Sequence, residues 1–589
     1  MKKNIVLAAA LVGLATVSAG CAAGRPADGA AARTSAEQWV AAELSFESAA
    51  RADGALEMDV VFARGGRELS RPAFWDGGKA FRVRFAAPET GAWTWRTVCR
   101  DEPSLDGLRG ELDVAPYSGE LEIYRRGFVT AQPGKKHFVY ADGTPFLYLG
   151  DTHWGFGRET CDDDDNPGER HVETVVRRRV EQGFTVWQSE PLGARFELSD
   201  GTVDESDIPG LRSYDRSFKI VADAGLVHAN AQFFFPSQMK PPLATNDAAI
   251  RALSRHWVGR YGAYPVMWTL GQEVDNDFYR DEPWGGKWFT VTNNPYLRVA
   301  EQMHAADCYG HPLSAHQENA GCTTIHGAGS SGKQKDGGRS IFADPAVRAR
   351  TGHNWWAAQW SPDLRGKPHV PEVKDYWNDP DVAVDYEGRY CGLWTLDFGA
   401  RAQAWIIFLN GFRGYGYGAA DLWLFKSTYD MEKPSKDDLD VISVEEKHTP
   451  WRRALEYPSA NQMIHFRRFM ERLPWWDLVP DFNEGRRFRG APGAAFSCAS
   501  LPDGRIAVAY LFNRSRASGS FAGLPPLAEV EVEWFNPRTG EAGPVQRGRA
   551  DADGAFALPP KPDDADWTVL LKRTEEGAKL MAQGKETGR

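Results

Sequence analysis

The sequence predicts a multidomain protein of α/β plus all-β class, in which a central domain of alternating strands and helices lies between two β-sandwiches. Apolar and polar residues alternate near both ends of the chain, with the two-residue period of half-buried strands. In the middle, short apolar strands alternate with helical stretches, which is typical of repeated βα units. The 589 residues also exceed what a single hydrophobic core holds.

The composition is that of a globular protein, with 42% hydrophobic and 25% charged residues. A formal net charge of -11 argues against a nucleic-acid partner, because a polyanion would be repelled. The chain contains 22 tryptophans. Most of them must pack in cores, but those near strand ends present flat apolar faces of the kind that stack on sugar rings.

The N-terminus predicts export and a lipid anchor. Lys2 and Lys3 precede an apolar run that is too short to span a membrane, and Ser18-Ala19-Gly20-Cys21 follows it as a lipobox would. Cys21 therefore resembles the lipidated cysteine of bacterial lipoproteins, which predicts a protein held at the cell envelope, on its periplasmic or cell-surface face. The alternative is a plain secretory signal with an incidental cysteine.

Composition and pattern divide the chain into six segments. Residues 1–21 are the predicted signal peptide, and the small, polar residues 22–35 a flexible tether. The N-terminal β-sandwich is predicted over residues 36–117, the central domain over 122–475, the C-terminal β-sandwich over 476–575 and a polar tail over 576–589.

Eight strands are predicted in the central domain, with helical stretches between several of them. Eight βα units fit a (β/α)8 TIM barrel, whose active site lies where the strands end. The predicted strands are "TPFLYLGD", "FTVWQSE", "LVHANAQF", "PVMWTLGQE", "HPLSAHQ", "NWWAAQW", "KPHVPEV" and "YGYGAADLW".

Polar and aromatic residues are predicted to gather at that rim as a substrate pocket. Any one of them alone is as well explained by capping, packing or solvation, and their joint position is the observation that favours a site. The predicted substrate-binding residues are Asp151, His153, Trp154, Gln188, Glu190, Gln232, Gln272, His316, Trp355, Trp356, Asp421 and Trp423.

Two carboxylates stand out at the rim, Glu273 at the end of the fourth predicted strand and Glu372 at the end of the seventh. Cleavage of a glycosidic bond needs such a pair, one protonated to give a proton to the leaving oxygen and one ionised to attack or stabilise the sugar. The nearby competitors fall beyond the predicted strand ends and rank lower: Asp275, Asp277, Asp375 and Glu387.

Two segments resemble one known family. "LEIYRRGFVTAQPGKKHFVYADGTPFLYLGDTHWGF" and "RYGAYPVMWTLGQEVD" are similar to the apiosidase-like family of barrel glycoside hydrolases. The resemblance implies that Glu273 is the acid/base and Glu372 the nucleophile of a retaining enzyme. Two positions depart from the usual pattern. Gln272 stands where Asn usually precedes the acid/base, and "VPEV" stands where related members have "DGEP" at the seventh strand. The region before the barrel resembles a sandwich domain of unknown function, and the C-terminal region a domain type named for collagen binding.

A non-catalytic surface protein is the main alternative to the hydrolase. Its sandwiches would bind glycan or collagen, and the barrel would be a degenerate scaffold, because fold alone never guarantees chemistry. A metalloprotease has no HExxH motif to support it. The acidic stretch "CDDDDNPGER" lacks the ligand spacing of a calcium loop and is predicted to be a solvated loop over the rim.

Cysteine spacing gives no support for a metal site, since no CxxC or Cys/His cluster occurs. Export permits disulfides, and Cys308 with Cys322 is the one suggested pair. Together these patterns predict a lipid-anchored retaining glycoside hydrolase that acts on a complex extracellular polysaccharide without metal or organic cofactor.

Overall fold

The structure is a computed structural model. It describes residues 32–50, 52–157, 171–191, 194–198, 200–230, 239, 242–271, 295–314, 357–360, 382–387, 391, 397–423 and 451–574.

The N-terminal domain is formed by two facing β-sheets. One has five strands in the order β1-β8-β7-β3-β4, and the other three in the order β2-β6-β5. Aromatic and aliphatic side chains fill the space between them, including Phe62, Phe85 and Trp93. The strands are β1 (Ala32–Glu37), β2 (Ala41–Glu47), β3 (Asp59–Arg64), β4 (Arg67–Pro72), β5 (Phe74–Trp75), β6 (Ala80–Ala86), β7 (Gly91–Val98) and β8 (Arg109–Ala115).

The sandwich starts earlier than predicted. Residues 32–35, expected in the tether, belong to β1, which pairs in parallel with β8 at one edge of the larger sheet. An edge strand pairs on one side only, and the small polar residues "ARTSAE" carry none of the apolar alternation by which a strand is recognised.

The central domain contains an eight-stranded sheet in which every described strand pair is parallel. Its order is β15-β14-β13-β12-β11-β18-β17-β16. The strands are β11 (Tyr148–His153), β12 (Val186–Ser189), β13 (Val227–Asn230), β14 (Val266–Thr269), β15 (Leu313–Ser314), β16 (Ala357–Trp360), β17 (Ala383–Glu387) and β18 (Gly414–Tyr417). A two-stranded hairpin, β9 (Phe138–Val139) and β10 (Pro145–Phe146), precedes it.

Helices follow many of the strands, as parallel connections require. Helix α1 (Glu122–Arg126) links the N-terminal sandwich to the central domain. The others are α2 (His171–Glu181), α3 (Ile208–Asp223), α4 (Asp247–Tyr261), α5 (Pro295–Ala306), α6 (Asp397–Leu409), α7 (Ala420–Trp423), α8 (Trp451–Ala454) and α9 (Pro458–Met470), with 3-10 turns at Leu243–Thr245 and Trp475–Asp477.

Seven of the eight predicted strands coincide with observed ones, and the seventh prediction is wrong. The sheet position between the sixth and eighth strands is occupied by β17, not by residues 367–373, which lie outside the described part of the chain. Pro368 and Pro371 explain the error, because proline donates no ladder hydrogen bond and is unsuited to a strand paired on both sides. Glu372 therefore loses its predicted position at the end of the seventh strand, and Glu387 takes it.

The two faces of the central sheet pack against different partners. Leu149, Trp187 and Trp268 belong to the large core shared with the helices. The strand residues that alternate with these point to the other side of the sheet, which is called the inner face. They form a separate hydrophobic cluster that includes Tyr148. The other inner-face members from the sheet are Val186, Val227, Ala229, Met267 and Val384.

The C-terminal domain also has two sheets, of six strands (β19-β21-β22-β27-β24-β25) and three strands (β20-β23-β26). Arg401 of α6 joins it to the central domain through two hydrogen bonds, of 2.8 and 2.9 Å, to the buried carboxylate of Asp566. The strands are β19 (Val479–Pro480), β20 (Phe488–Gly490), β21 (Phe496–Ser500), β22 (Ile506–Leu511), β23 (Gly519–Phe521), β24 (Glu529–Phe535), β25 (Gln546–Arg549), β26 (Phe556–Ala557) and β27 (Trp567–Arg573).

Among the described residues, none of the helices has the length and apolar character needed to cross a membrane. The same residues hold no group of three or more His, Cys, Asp or Glu side chains arranged to bind a metal ion. Among the described residues Cys308 has a free thiol, and Cys322, its suggested disulfide partner, lies outside them.

Candidate active site

The carboxyl ends of the central strands meet at one edge of the sheet. Thr152, Gln188, Ala229 and Met267 are direct neighbours across four adjacent strands, so these strands end at similar heights. Residues that follow the ends of these strands therefore converge on one rim of the sheet, as the sequence predicts.

Half of the predicted site lies outside the described residues. Glu273 comes two residues after Gly271, where the description of the fourth strand's end stops. The predicted site residues in this group are Gln232, Gln272, Glu273, His316, Trp355, Trp356 and Glu372; the predicted lipidation site, Cys21, is outside as well.

Gln188 lies on the inner face of the sheet within a buried hydrogen-bond network. The Tyr148 hydroxyl donates to its side-chain oxygen, and its side-chain nitrogen donates to the Thr152 hydroxyl at 3.0 Å. Thr152 in turn donates to the backbone oxygen of Tyr417 at 3.2 Å. Gly150 makes room for the amide, since a Cβ there would lie 2.4 Å from the Gln188 oxygen. The network ties strands β11, β12 and β18 together just below the rim.

Asp151 and His153 face the helices, on the opposite side of the sheet from this network. The Asp151 carboxylate is fully buried and forms an ion pair with Arg179 of α2, and His153 Nε2 lies 2.8 Å from it. Burial alone would raise the pKa of Asp151, but the charges of Arg179 and His153 outweigh it and lower the pKa. Burial lowers the pKa of His153, against the opposing effect of Asp151. These contacts hold Asp151 against helix α2, on the side of the sheet away from the inner face.

Arg179 is the residue of this region that the sequence analysis missed. Its guanidinium also donates to the Leu455 backbone oxygen at 3.1 Å and lies over the rings of Phe184 and Tyr417. A signal was present, because Val172, Val175, Val176 and position 179 share the apolar face of one helix. An arginine on such a face predicts a buried acidic partner.

A second helix-facing pair joins strands β12 and β13. The Ser189 hydroxyl lies 2.6 Å from His228 Nε2, and burial holds the pKa of His228 well below its usual value. His153 stacks on Trp187 of the same face, with 3.8 Å between ring centroids. The histidines at these strand ends thus belong to the packing behind the rim.

Trp154, Glu190 and Asp421 are buried beyond the ends of their strands. Trp154 packs with the inner-face cluster. Asp421 was predicted to end the eighth strand, but β18 stops at Tyr417 and residues 420–423, which include Trp423, form the short helix α7. The Tyr457 hydroxyl donates to the Asp421 carboxylate at 2.7 Å. Of the predicted site, the structure therefore places Gln188 and Trp154 on the inner face, and Glu190 is buried directly after the end of β12.

Comparison with known proteins matches the chain to one family and to several solved folds. Residues 132–477 match the model of the family described as apiosidase-like, catalytic domain, and residues 35–100 match a domain of unknown function (DUF5060). No curated protein matches the sequence. The C-terminal domain is matched by neither family model.

Solved structures share the fold at low sequence identity. A protein of Bacteroides vulgatus ATCC 8482, described as a candidate glycoside hydrolase, is 14% identical, with a TM-score of 0.62 over 92% of this chain and 100% of its own. A glycoside hydrolase family 5 protein of the same organism is also 14% identical, with a TM-score of 0.53 over 77% of this chain and 94% of its own. A third structure, named glycoside hydrolase, is 17% identical, with a TM-score of 0.51 over 76% and 97%.

The family model covers more than half of the chain and includes every described strand of the parallel sheet. The fold is that of glycoside hydrolases, with sheet-rich regions before and after the α/β domain. The chain belongs to the apiosidase-like family and is a glycoside hydrolase.

Proposed function

We propose that this glycoside hydrolase cleaves an O-glycosidic bond of a complex extracellular polysaccharide with retention of configuration, using Glu273 as acid/base and Glu372 as nucleophile. The observation that carries the proposal is the strand β14, which ends at Thr269 among the carboxyl ends of a parallel sheet, four residues before Glu273 in the sequence. Catalytic residues of such sheets come from the strand ends.

The sheet order supports a closed (β/α)8 barrel. Numbered along the chain, the strands run 5-4-3-2-1-8-7-6, which is the circular order of a barrel opened between its fifth and sixth strands. Closure requires only that Leu313–Ser314 pair with Ala357–Trp360. A closed barrel would place the fourth and seventh strand ends across one cavity from each other.

Glu273 follows closely on a strand whose alternate residues line the inner face. Met267 belongs to the inner-face cluster, whereas Val266 and Trp268 belong to the core with the helices. Thr269, two residues after Met267, shares the inner face and is the last residue of β14. Gln272 and Glu273 lie outside the described residues, and their assignment to the site rests on their position in the sequence and on the family resemblance.

Glu387 is the rival nucleophile, because it ends β17. Val384 packs in the inner-face cluster and Asp385 accepts a 3.0 Å hydrogen bond from Gln403 of helix α6, but the pairing of β16 with β17 shifts register between Asp385 and Glu387, so the two-residue period does not extend to Glu387. We keep Glu372 as the proposed nucleophile because the family resemblance places it at that position.

The proposed setting is the cell envelope, with the protein anchored through lipid on Cys21. A polysaccharide cannot enter the cytoplasm intact, so its hydrolysis outside fits the export signal read from residues 1–21. No metal or organic cofactor is needed for a two-carboxylate mechanism.

The test is a screen of the purified chain, begun at Ala22, against plant, algal and host polysaccharides, with released sugars as readout. We expect hydrolysis of at least one, and a loss of roughly a hundredfold or more in Glu273→Gln, which keeps the shape but cannot transfer a proton. Glu181→Gln, on an exposed helix surface, is the matched control and should retain activity. Binding without hydrolysis by any preparation would favour the non-catalytic glycan-binding alternative.

A further inference from the structure

Two buried hydroxyl groups at the rim have no hydrogen-bond partner among the described residues. They belong to Thr269, the last residue of β14, and Ser314, the last residue of β15. Both residues are at most 2% exposed. They are direct neighbours in the parallel register, so they stand on adjacent strands about 4.8 Å apart.

Both residues have the parity of the inner face. Thr269 follows Met267 of the inner-face cluster by two residues, and paired residues of neighbouring strands point to the same side of a sheet. The alternate pair, Trp268 and Leu313, is also in register and packs in the core with the helices. The hydroxyl pair, Thr269 and Ser314, therefore lies on the inner face of the sheet, at the ends of β14 and β15.

Other hydroxyls at these strand ends are satisfied by the protein. Thr152 bonds with Gln188 and the Tyr417 backbone, and Ser189 with His228. Burying a hydroxyl without a partner is unfavourable, so two such groups side by side need an explanation. We propose that Thr269 and Ser314 bind the hydroxyl groups of a neutral sugar unit of the substrate; this rests on the proposed function and assigns two residues to its binding site.

The chemistry of the pair matches a sugar better than an ion. Each hydroxyl can donate one hydrogen bond and accept two, as a sugar hydroxyl can. Because an O–H···O hydrogen bond is about 2.8 Å long, both side chains could bond to the same sugar oxygen placed between them. Trp154 and Glu190 come directly after the ends of β11 and β12, and Trp154 packs in the inner-face cluster. An aromatic ring can stack on a sugar, and a carboxylate repels a uronic acid, which favours a neutral sugar.

The test measures the thermal stability of the purified protein with free D-glucose, D-xylose, D-galactose and D-glucuronate, each in large excess. We expect at least one neutral sugar to raise the Tm of the wild type. Thr269→Val and Ser314→Ala should each bind that sugar about tenfold more weakly and lose most of the shift. Thr269→Ser keeps the hydroxyl and should keep the shift.

The Tm values without sugar distinguish binding from a structural role. Thr269→Val replaces an unpartnered hydroxyl by a methyl group of the same shape and should leave the Tm unchanged or higher, whereas the loss of a hydroxyl that serves folding would lower the Tm. The proposal is overturned if no neutral sugar stabilises the wild type, if only glucuronate does, or if Thr269→Val responds like the wild type. Its failure is separable from that of the proposed function, since sugar binding that needs Thr269 can stand even if no polysaccharide is hydrolysed.

Discussion

Arg84 of the N-terminal sandwich donates a 2.8 Å hydrogen bond to the carboxylate of Asp215 in helix α3 of the central domain. Arg260 of α4 donates two more to the same carboxylate, at 2.8 and 2.9 Å. Burial alone would raise the pKa of Asp215, but the two guanidinium groups outweigh it and hold the pKa far below its usual value. Asp215 thus joins two buried cations at the boundary between the sandwich and the α/β domain; Arg84 also pairs with Glu43 at 2.9 Å, and Arg260 with Asp76 at 3.1 Å.

The first prediction is that Asp215→Ala destabilises the protein by about 3–5 kcal/mol, because it removes a buried carboxylate to which both guanidinium groups donate. The measurement is the free energy of unfolding in urea. The control is Arg251→Ala, which removes a 2.7 Å ion pair with Glu57 across the same domain boundary, but with both side chains exposed. That change should cost less than about 1 kcal/mol. Equal losses in the two variants would contradict the interpretation.

We expect the protein to lose stability in mild acid because of His256. Burial, reinforced by Arg260 and opposed by Asp215, lowers its pKa from 6.5 to about 3. Above pH 6.5 the ring is neutral in both states, so it has no effect. As the pH falls from 6.5 toward 3, only the unfolded chain takes up the proton, and stability drops by up to about 1.4 kcal/mol per pH unit.

The check is the change in unfolding free energy between about pH 7.5 and about pH 5 in the wild type and in His256→Gln. We expect the change in the variant to be smaller by about 2 kcal/mol, since glutamine does not titrate. An identical pH dependence in the two proteins would show that His256 is not the responsible group.

Much of the fold is readable from local patterns. The alternation in "FRVRFAA" and "GAWTWRTVC" predicted strands that are present as β6 and β7. The helical spacing in "RHVETVVRRRVEQG" likewise predicted α2. Such elements are recognisable because each buries one face, and burial imposes its period on the sequence.

The parts that were missed depend on contacts distant in sequence. Residues 383–387 form a central strand although "AVDYE" carries two acidic residues, and Asp385 is tolerated there because Gln403 donates to it from helix α6. Asp151 was predicted at the substrate pocket because sequence places it at a strand end. Which face it occupies depends on Arg179, 28 residues later.

The lipid anchor can be tested directly. Cys21→Ser should abolish acylation and leave the protein unprocessed or released from the envelope. Membrane fractionation and mass spectrometry of the N-terminus measure this. Unchanged fractionation, together with a wild-type N-terminus that carries no acyl group, would refute the prediction.

The assignment of the nucleophile is tested by comparing variants of two glutamates. Glu372→Ala should be nearly inactive while it still folds and binds substrate, and Glu387→Ala should keep a substantial part of the activity. The comparison uses kcat on the polysaccharide found by the screen, with circular dichroism to confirm folding. The reverse ranking would transfer the role to Glu387, and loss in neither variant would point to Asp375.

The anomeric configuration of the first-formed product tests the proposed mechanism most directly. A retaining enzyme holds its two carboxyl groups about 5–5.5 Å apart and inverts the anomeric carbon twice, so proton NMR recorded at the start of hydrolysis should show the configuration of the substrate. An inverted first product would mean that the second carboxylate acts through a water molecule across about 6.5–9.5 Å, and it would contradict the proposed covalent mechanism.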